Sequence, residues 1–589
     1  MSISSRLWVR CFDTALASAT SPFLVALTQG KLANNSFKAY IAQDAFYLVS
    51  FKKAFASAAI ICKEDSDGFG VDHFQTLEFL IEDELKMHAK FALDLNIDLS
   101  SVRPFPQTLL YTEFLGEATK TNYVSHICAA MTPCMTLYGF LGRRAKTAGL
   151  SQPSNPYARW IDEYSSPEFG ANAERLEMLL DHFAAKDDQK FEDLIKLYAK
   201  AMELEYNFFS AHETANWTGV KPSFLGIDFD DTISVSDTIS NLCKAGLKAQ
   251  GKVGDAEYKE LFTQYIQKYD AFMLSNLPQN GVKSNKNNND LEQFMHSYSA
   301  FEDSMLTPVE NSKILKGIST TSLNTLAQEI SMKPNAINVM KYAIHNHPGI
   351  ESHVLSVNWS KKFLQSMLKV HWPESNMSVH ANELDGLQEN TNGQNEEAVS
   401  TGNIDRKLTG PKQKGDLLRT LLSTHVKTNG GPSVYIGDSL GDLSALLEAD
   451  VGIVIGTSSS LRKVCHIYGI EFKSLDNLIF KTDLSKSELL VNDELPQRFL
   501  YVADSWAHIG FCLFGKGYVN TFLRSFVKDI KEINRDSSVS GVEVDSTVIA
   551  TATGTQTGTQ QQQQQQQQQR NIHQPSVLAV AGSDSGVRM

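Results

Sequence analysis

Apolar spacing changes character once along these 589 residues, and that single change limits the chain to folds that join two architectures. Up to residue 217 apolar positions recur at helical intervals and strand signals are absent. After "TGVKPS" short β-rich runs alternate with helical segments: "FLGI" from 224, "HVLSV" from 353, "SVYIG" from 433 and "VGIVIG" from 451. Such alternation predicts a parallel sheet covered by helices. The chain therefore reads as multidomain, with an all-α domain over 1–217 and an α/β domain over 222–484. More than a hundred mostly helical residues, about 234–350, separate the first two strands and predict an inserted helical cap, broken by the polar run "NGVKSNKNNND". A second polar insert, "LQENTNGQNEEAVSTGN", lies between the second and third strands. Residues 485–534 read as an extension packing on the α/β domain. Residues 535–589, with glutamine unbroken from Gln560 to Gln569, read as a disordered tail.

A chain this long exceeds one hydrophobic core, and an apolar fraction of 42% is enough to fill two. A net charge of -13 argues against nucleic acid or an anionic membrane as partner and leaves room for small molecules. Seven cysteines with no CxxC pair point to a reducing compartment. No apolar run reads as long enough to span a bilayer. The opening "MSISSRLWVRCFDTALAS" carries Arg6 and Arg10 and no acid before Asp13, a weak transit-peptide pattern that serves equally as an amphipathic helix. With the fold expected to start near residue 5, the cytosol is the expected location and the mitochondrion the alternative.

"FLGIDFDDTIS" runs a buried strand into Asp228, Asp230 and Asp231. Carboxylates there are costly unless a cation or a reacting group meets them. Three more pieces fall at predicted element ends: Ser356 after "HVL", Lys414 at the start of the helix in "GPKQKGDLLRTLL", and Asp438 with Asp442 after "SVYIG". Ligands of open α/β sheets bind outside the carboxyl ends of strands, so these residues can converge. Lys412 competes with Lys414, which directly precedes the apolar-periodic helix. Asp231 reads as a solvated or capping residue.

The ordered set DxDxT, Ser, Lys, GDxxxD resembles the haloacid dehalogenase superfamily of phosphohydrolases, with a Rossmann-like domain. The resemblance implies Asp228 as the nucleophile that forms an aspartyl phosphate and Asp230 as general acid and base. It also implies Ser356 and Lys414 as phosphoryl-binding groups. Mg2+ would sit on Asp228, Asp438 and the Asp230 carbonyl. Asp442 either binds a metal-held water or orients Lys414.

In the all-α part, the rows Tyr40, Asp44, Tyr47, Phe51 and Ile195, Tyr198, Met202, Glu205, Phe209 place carboxylates among apolar and aromatic residues. A third row, Ile127, Met131, Cys134, Tyr138, Leu141, carries a cysteine just after Pro133. A buried cysteine or tyrosine is usually core; two acids on apolar faces suggest a pocket. Glu84 and His88 share one helix face, but a di-iron site needs a second such pair, and the sequence offers none.

"YIAQDAFYL", "TPCMTLY", "NPYARWIDEYSSPEF" and "ELEYNFF" are similar to the TenA family, whose fold is a haem-oxygenase-like bundle. That resemblance implies Cys134 as a nucleophile toward an aminopyrimidine and Glu205 as acid and base at its exocyclic amine. Asp44 would bind the ring edge, and Tyr47, Tyr111, Tyr138 and Tyr164 would stack on or hydrogen-bond the ring. TenA fused to such a phosphatase resembles the plant bifunctional thiamine-salvage proteins, through "YVADSWAHIGFCLFGKG" near 501. The implied reactions are hydrolysis of thiamine monophosphate and hydrolytic deamination of an aminomethylpyrimidine, in a homo-oligomer formed through the TenA-like domain. The open alternative is a phosphatase for a nucleotide or pyridoxal phosphate, its helical domain only binding a ligand or oligomerising.

Overall fold

The computed structural model describes residues 1–94, 102–212, 214, 219–278, 288–387, 398–425, 430–479 and 499–532. The insert core at 388–397 and the glutamine-rich tail lie outside them. Among the described residues two compact units emerge: 1–219 together with 514–532, and 220–513. The 485–534 segment is therefore shared between the units.

The first unit is all helix. Ile3–Ala19, Pro22–Thr28, Asn34–Glu64, Gly68–Asp94, Pro106–Ala118, Val124–Thr147, Ala158–Tyr164, Pro167–Lys186 and Phe191–Ser210 follow in order. Serines start several of them: the Ser2, Ser21 and Ser166 hydroxyls accept from the Ser5, Leu24 and Phe169 amides, and Pro22 and Pro167 occupy first turns. Val124–Thr147 runs through the core with 18 of its 24 residues buried. Gly142 lets it approach Tyr164 closely, since a Cβ there would lie 2.5 Å from the Tyr164 carbonyl carbon.

One expectation needs correcting. Among the described residues, two helices are long and apolar enough to cross a membrane by length and composition, Asn34–Glu64 and Val124–Thr147. Counting apolar runs missed them because polar residues punctuate both. In the second, 89% of the most apolar window is buried inside the fold, and this core position accounts for its hydropathy.

The second unit is an α/β sheet. In chain order its strands are β1 Phe224–Ile227, β2 Glu351–Leu355, β3 Ser378–His380, the paired β4 Glu383–Leu384 and β5 Ile404–Asp405, then β6 Ser433–Gly437, β7 Val451–Ile455, β8 Glu471–Ser474 and β9 Phe499–Ala503. Seven form one sheet in the order β3-β2-β1-β6-β7-β9-β8, every pairing parallel. All four β1 residues are buried, which is why "FLGI" is uniformly apolar rather than alternating. Between β1 and β2 the chain forms helices Ile239–Ala249, Ala256–Asn276, Asn288–Ser312, Thr320–Ala327 and Ala336–Asn346. Two of them lock through aromatic contacts such as Phe272 against Phe301 at 4.9 Å.

Candidate active sites

Strand β1 sits in mid-sheet, in register with β2 and β6, and its ladder extends one residue further: the Asp228 amide donates to the Ile436 carbonyl at 2.9 Å. Asp228 thus emerges at the carboxyl edge, where Ser356 directly follows β2 and Asp438 directly follows β6. Lys414, in the first turn of helix Pro411–Thr424, reaches this edge with its ammonium 2.6 Å from Asp228 Oδ1 and 2.7 Å from Asp442 Oδ1. All three side chains are fully buried. Lys412 instead pairs with Asp416 at the surface.

The Thr232 hydroxyl lies 3.3 Å from both Asp228 Oδ2 and Asp438 Oδ1, so these two carboxylates converge. With Asp442 they form a set whose oxygens lie within 4.8 Å of one another. An all-oxygen donor set fits a hard divalent cation such as Mg2+ and not a thiophilic metal. Asp442 is more heavily engaged: besides Lys414 it accepts from the Tyr435 hydroxyl at 3.0 Å and from Ser439 N and Oγ at 3.1 Å each. Gly437 makes room for this turn, because a Cβ there would fall 2.5 Å from Asp442 Cγ.

The Asp230 carboxylate is held by other donors. Its Oδ1 accepts from the Thr238 amide at 2.9 Å and hydroxyl at 2.6 Å, and its Oδ2 from Asn358 Nδ2 at 2.9 Å. Asp231 bends the chain between them at φ 54, an uncommon conformation for a residue with a side chain.

A cleft of about 560 Å3, solvent at its mouth included, opens beside this edge. Val357, Pro411 and Ser439, close neighbours in sequence of Ser356, Lys414 and Asp438, form part of its wall. Cap residues Tyr265, Tyr298 and Glu302 and the aromatic Trp359 form another part. Tyr265 donates its hydroxyl to Glu302 at 2.8 Å.

In the helical unit, Tyr111 donates to Glu205 at 2.8 Å, and Tyr47 packs on Tyr111 with ring centroids 4.6 Å apart. The Cys134 thiol is hydrogen-bonded to Glu205 and Tyr47. Tyr138 and Tyr164 meet edge to face at 4.8 Å. Asp44 completes the group, its Oδ2 3.4 Å from His88 Nε2. Burial pushes the Glu205 carboxyl up to about 8 and Asp44 up to about 7. The Cys134 thiol is raised well above its usual value, first by burial and then by the Glu205 charge. Near neutral pH this pocket therefore holds a thiol, not a thiolate, beside a carboxyl poised to exchange a proton.

Residues 17–215 match the TENA/THI-4/PQQC family. The Arabidopsis thaliana "Bifunctional TH2 protein, mitochondrial" is 31% identical over 559 residues, 86% of this chain and 88% of the relative. The chain belongs to the bifunctional TH2 family. Its helical unit is also similar to the "Aminopyrimidine aminohydrolase" of Halalkalibacterium halodurans, 25% identical over 35% of this chain and 94% of the relative. Among solved structures, a phospho-aspartyl intermediate analogue of phosphoserine phosphatase aligns at 16% identity and a TM-score of 0.27, over 41% of this chain and 90% of that one.

For this TH2-family chain, sequence reasoning passed over Thr238 and Asn358, which hold Asp230, and Tyr435, which supports Asp442. Asn358 stands two residues past Ser356 in "SVNWS", so its position was a usable signal. Glu302 had none: nothing local distinguishes it from other acids of the cap.

Proposed function

We propose that the α/β unit hydrolyses thiamine monophosphate to thiamine and that the helical unit hydrolytically deaminates an aminomethylpyrimidine to the hydroxymethylpyrimidine. Membership of the TH2 family supports pairing two such activities on one chain. Names of relatives support the chemistry: aminopyrimidine aminohydrolases for the helical unit, and the thiamine biosynthesis multifunctional protein of Corynebacterium glutamicum, 28% identical over 37% of this chain.

In the phosphatase step Asp228 attacks phosphorus and the P–O bond to the thiamine alkoxide breaks, Asp230 delivering its proton to that oxygen. Water, deprotonated by Asp230, then attacks the aspartyl phosphate and releases inorganic phosphate. Ser356 and Lys414 hold phosphoryl oxygens. Mg2+, held by Asp228, Asp438 and the Asp230 carbonyl, would offset the charge between nucleophile and phosphate. Asp442 positions Lys414, as its crowded donor set favours that role over metal binding.

The observation that carries the substrate is Glu302 among Tyr265, Tyr298 and Trp359 beside the phosphate edge. A carboxylate framed by aromatic rings suits a flat cation, and the thiazolium of thiamine monophosphate is one; a nucleotide's or pyridoxal phosphate's ring system lacks a fixed positive charge. A panel of the three phosphates with the purified full chain tests this. Thiamine monophosphate should give the highest kcat/KM, and preference for either competitor overturns it.

In the helical unit, Cys134 adds to the pyrimidine ring as Glu205 accepts the thiol proton. Glu205 then protonates the exocyclic amine, which leaves as ammonia; water, deprotonated by Glu205, adds its hydroxyl at the vacated carbon, and the C–S bond breaks as Glu205 returns the proton to the Cys134 sulfur. Asp44 and the tyrosines Tyr47, Tyr111, Tyr138 and Tyr164 bind the ring. The same proposal includes a homo-oligomer through this unit, read by sedimentation, and a cytosolic location, which a tagged full-length chain found in mitochondria would overturn.

A further inference from the structure

Outside both sites, the stretch "ADSWAHIGFC" spaces Asp504, His508 and Cys512 at intervals of four where β9 leads into helix Trp506–Glu532. His508 is fully buried, with Nε2 2.9 Å from Asp476 Oδ1 and Nδ1 3.1 Å from Asp504 Oδ2. Asp476 begins the short helix that follows β8, the sheet neighbour of β9. The buried Cys512 joins them: one ligand atom each from Asp476, His508 and Cys512 falls within a 4.8 Å envelope.

We propose that Asp476, His508 and Cys512 bind a zinc ion, with Asp504 orienting the imidazole. The donor set is one carboxylate oxygen, one imidazole nitrogen and one sulfur, which suits zinc and not Mg2+. Tetrahedral zinc places its ligand atoms roughly 3 to 4 Å apart, so small side-chain shifts close the site. Metal-binding histidines characteristically hold their other ring nitrogen against a carboxylate or backbone group; the Asp504 carboxylate lies 3.1 Å from Nδ1, and the Asp504 amide donates to the same nitrogen at 3.3 Å. Water completes the fourth position. The Cys512 thiol and His508 Nε2 release their protons to solvent on binding, and no bond changes otherwise. The ion would staple the end of β8 to the helix that follows β9. The competing reading is a protonated His508 bridging two carboxylates with Cys512 as inert core.

Metal analysis and cobalt substitution of the full chain separate the two. Zinc should be retained at one equivalent per chain after dialysis against excess Mg2+. Cobalt in its place should give a thiolate-to-cobalt charge-transfer band that Cys512→Ser abolishes and that Cys465→Ser and Cys134→Ala retain. Should Cys512→Ser fail to fold, the unaltered protein still decides: in a denaturant concentration at which the buried Cys512 is alkylated, added zinc should slow that alkylation, mapped by peptide mass. Absence of bound zinc together with a spectrum lacking the thiolate band, or alkylation of Cys512 unaffected by zinc, overturns the proposal.

Discussion

Lys414 places its ammonium 2.6 Å from Asp228 and 2.7 Å from Asp442 with no side-chain exposure at any of the three. Opposite charges at such depth depend on each other, since a buried charge stripped of its partner costs several kcal/mol. Lys414→Met should therefore destabilise the α/β unit by about 3–5 kcal/mol and lower its denaturant midpoint, besides removing phosphatase activity. Lys412→Met breaks only a surface pair and should cost less than about 1 kcal/mol. Equal losses would mean that Lys414 is not held as described.

Glu205 gives the deamination a pH signature. Its folded pKa is raised by burial from 4.5 to about 8, and the neighbouring thiol is raised well above its usual value, so the carboxylate proposed to accept the thiol proton is a minority form at neutral pH. Deamination kcat/KM should rise with pH through about 8, and Glu205→Gln should remove most activity together with that limb. Stability runs the other way. A raised carboxyl favours the fold while protonated, so this contribution is complete below about 4.5 and declines as pH climbs toward 8. A deamination kcat/KM that falls as pH rises toward 8 would contradict the assignment.

Substrate selection should reside in the cleft. Glu302→Gln keeps the shape and removes the charge, and a loss of roughly 1.4 kcal/mol raises KM for thiamine monophosphate about tenfold. An aryl phosphate whose ring carries no positive charge should be nearly unaffected, as should kcat. Tyr265→Phe releases Glu302 from its 2.8 Å hydrogen bond and should show a weaker form of the same split. A uniform loss on both substrates would place Glu302 in folding instead.

How much of this could be read in the residues depended on whether a signal was local. Asp228, Ser356, Lys414 and Asp438 each mark the end of a strand or start of a helix, so apolar patterning located them before their convergence was known. Cys134, Glu205 and Asp44 stood out as polar groups on apolar faces. Strands β3, β4 and β5, of two or three residues, are too short to carry a period, and β9 pairs within the sheet, between β7 and the edge strand β8, although its segment read as an appendage. The Tyr265–Glu302 contact spans 37 residues and exists only once two cap helices have packed. Asp438 and Thr232, 206 residues apart, likewise meet only through strand order.

In the proposed phosphatase step Asp228 attacks phosphorus while Asp230, held by Thr238 and Asn358, moves the proton. Parallel kinetics of Asp228→Asn and Asp230→Asn on thiamine monophosphate and on an activated aryl phosphate test it directly. Asp228→Asn should reduce both substrates to background. Asp230→Asn should cost about a hundred- to ten-thousand-fold on thiamine monophosphate and much less in the first turnover of the aryl ester, whose leaving group needs no proton, with phosphorylated enzyme accumulating. Substantial Mg2+-dependent hydrolysis by Asp228→Asn would contradict the account.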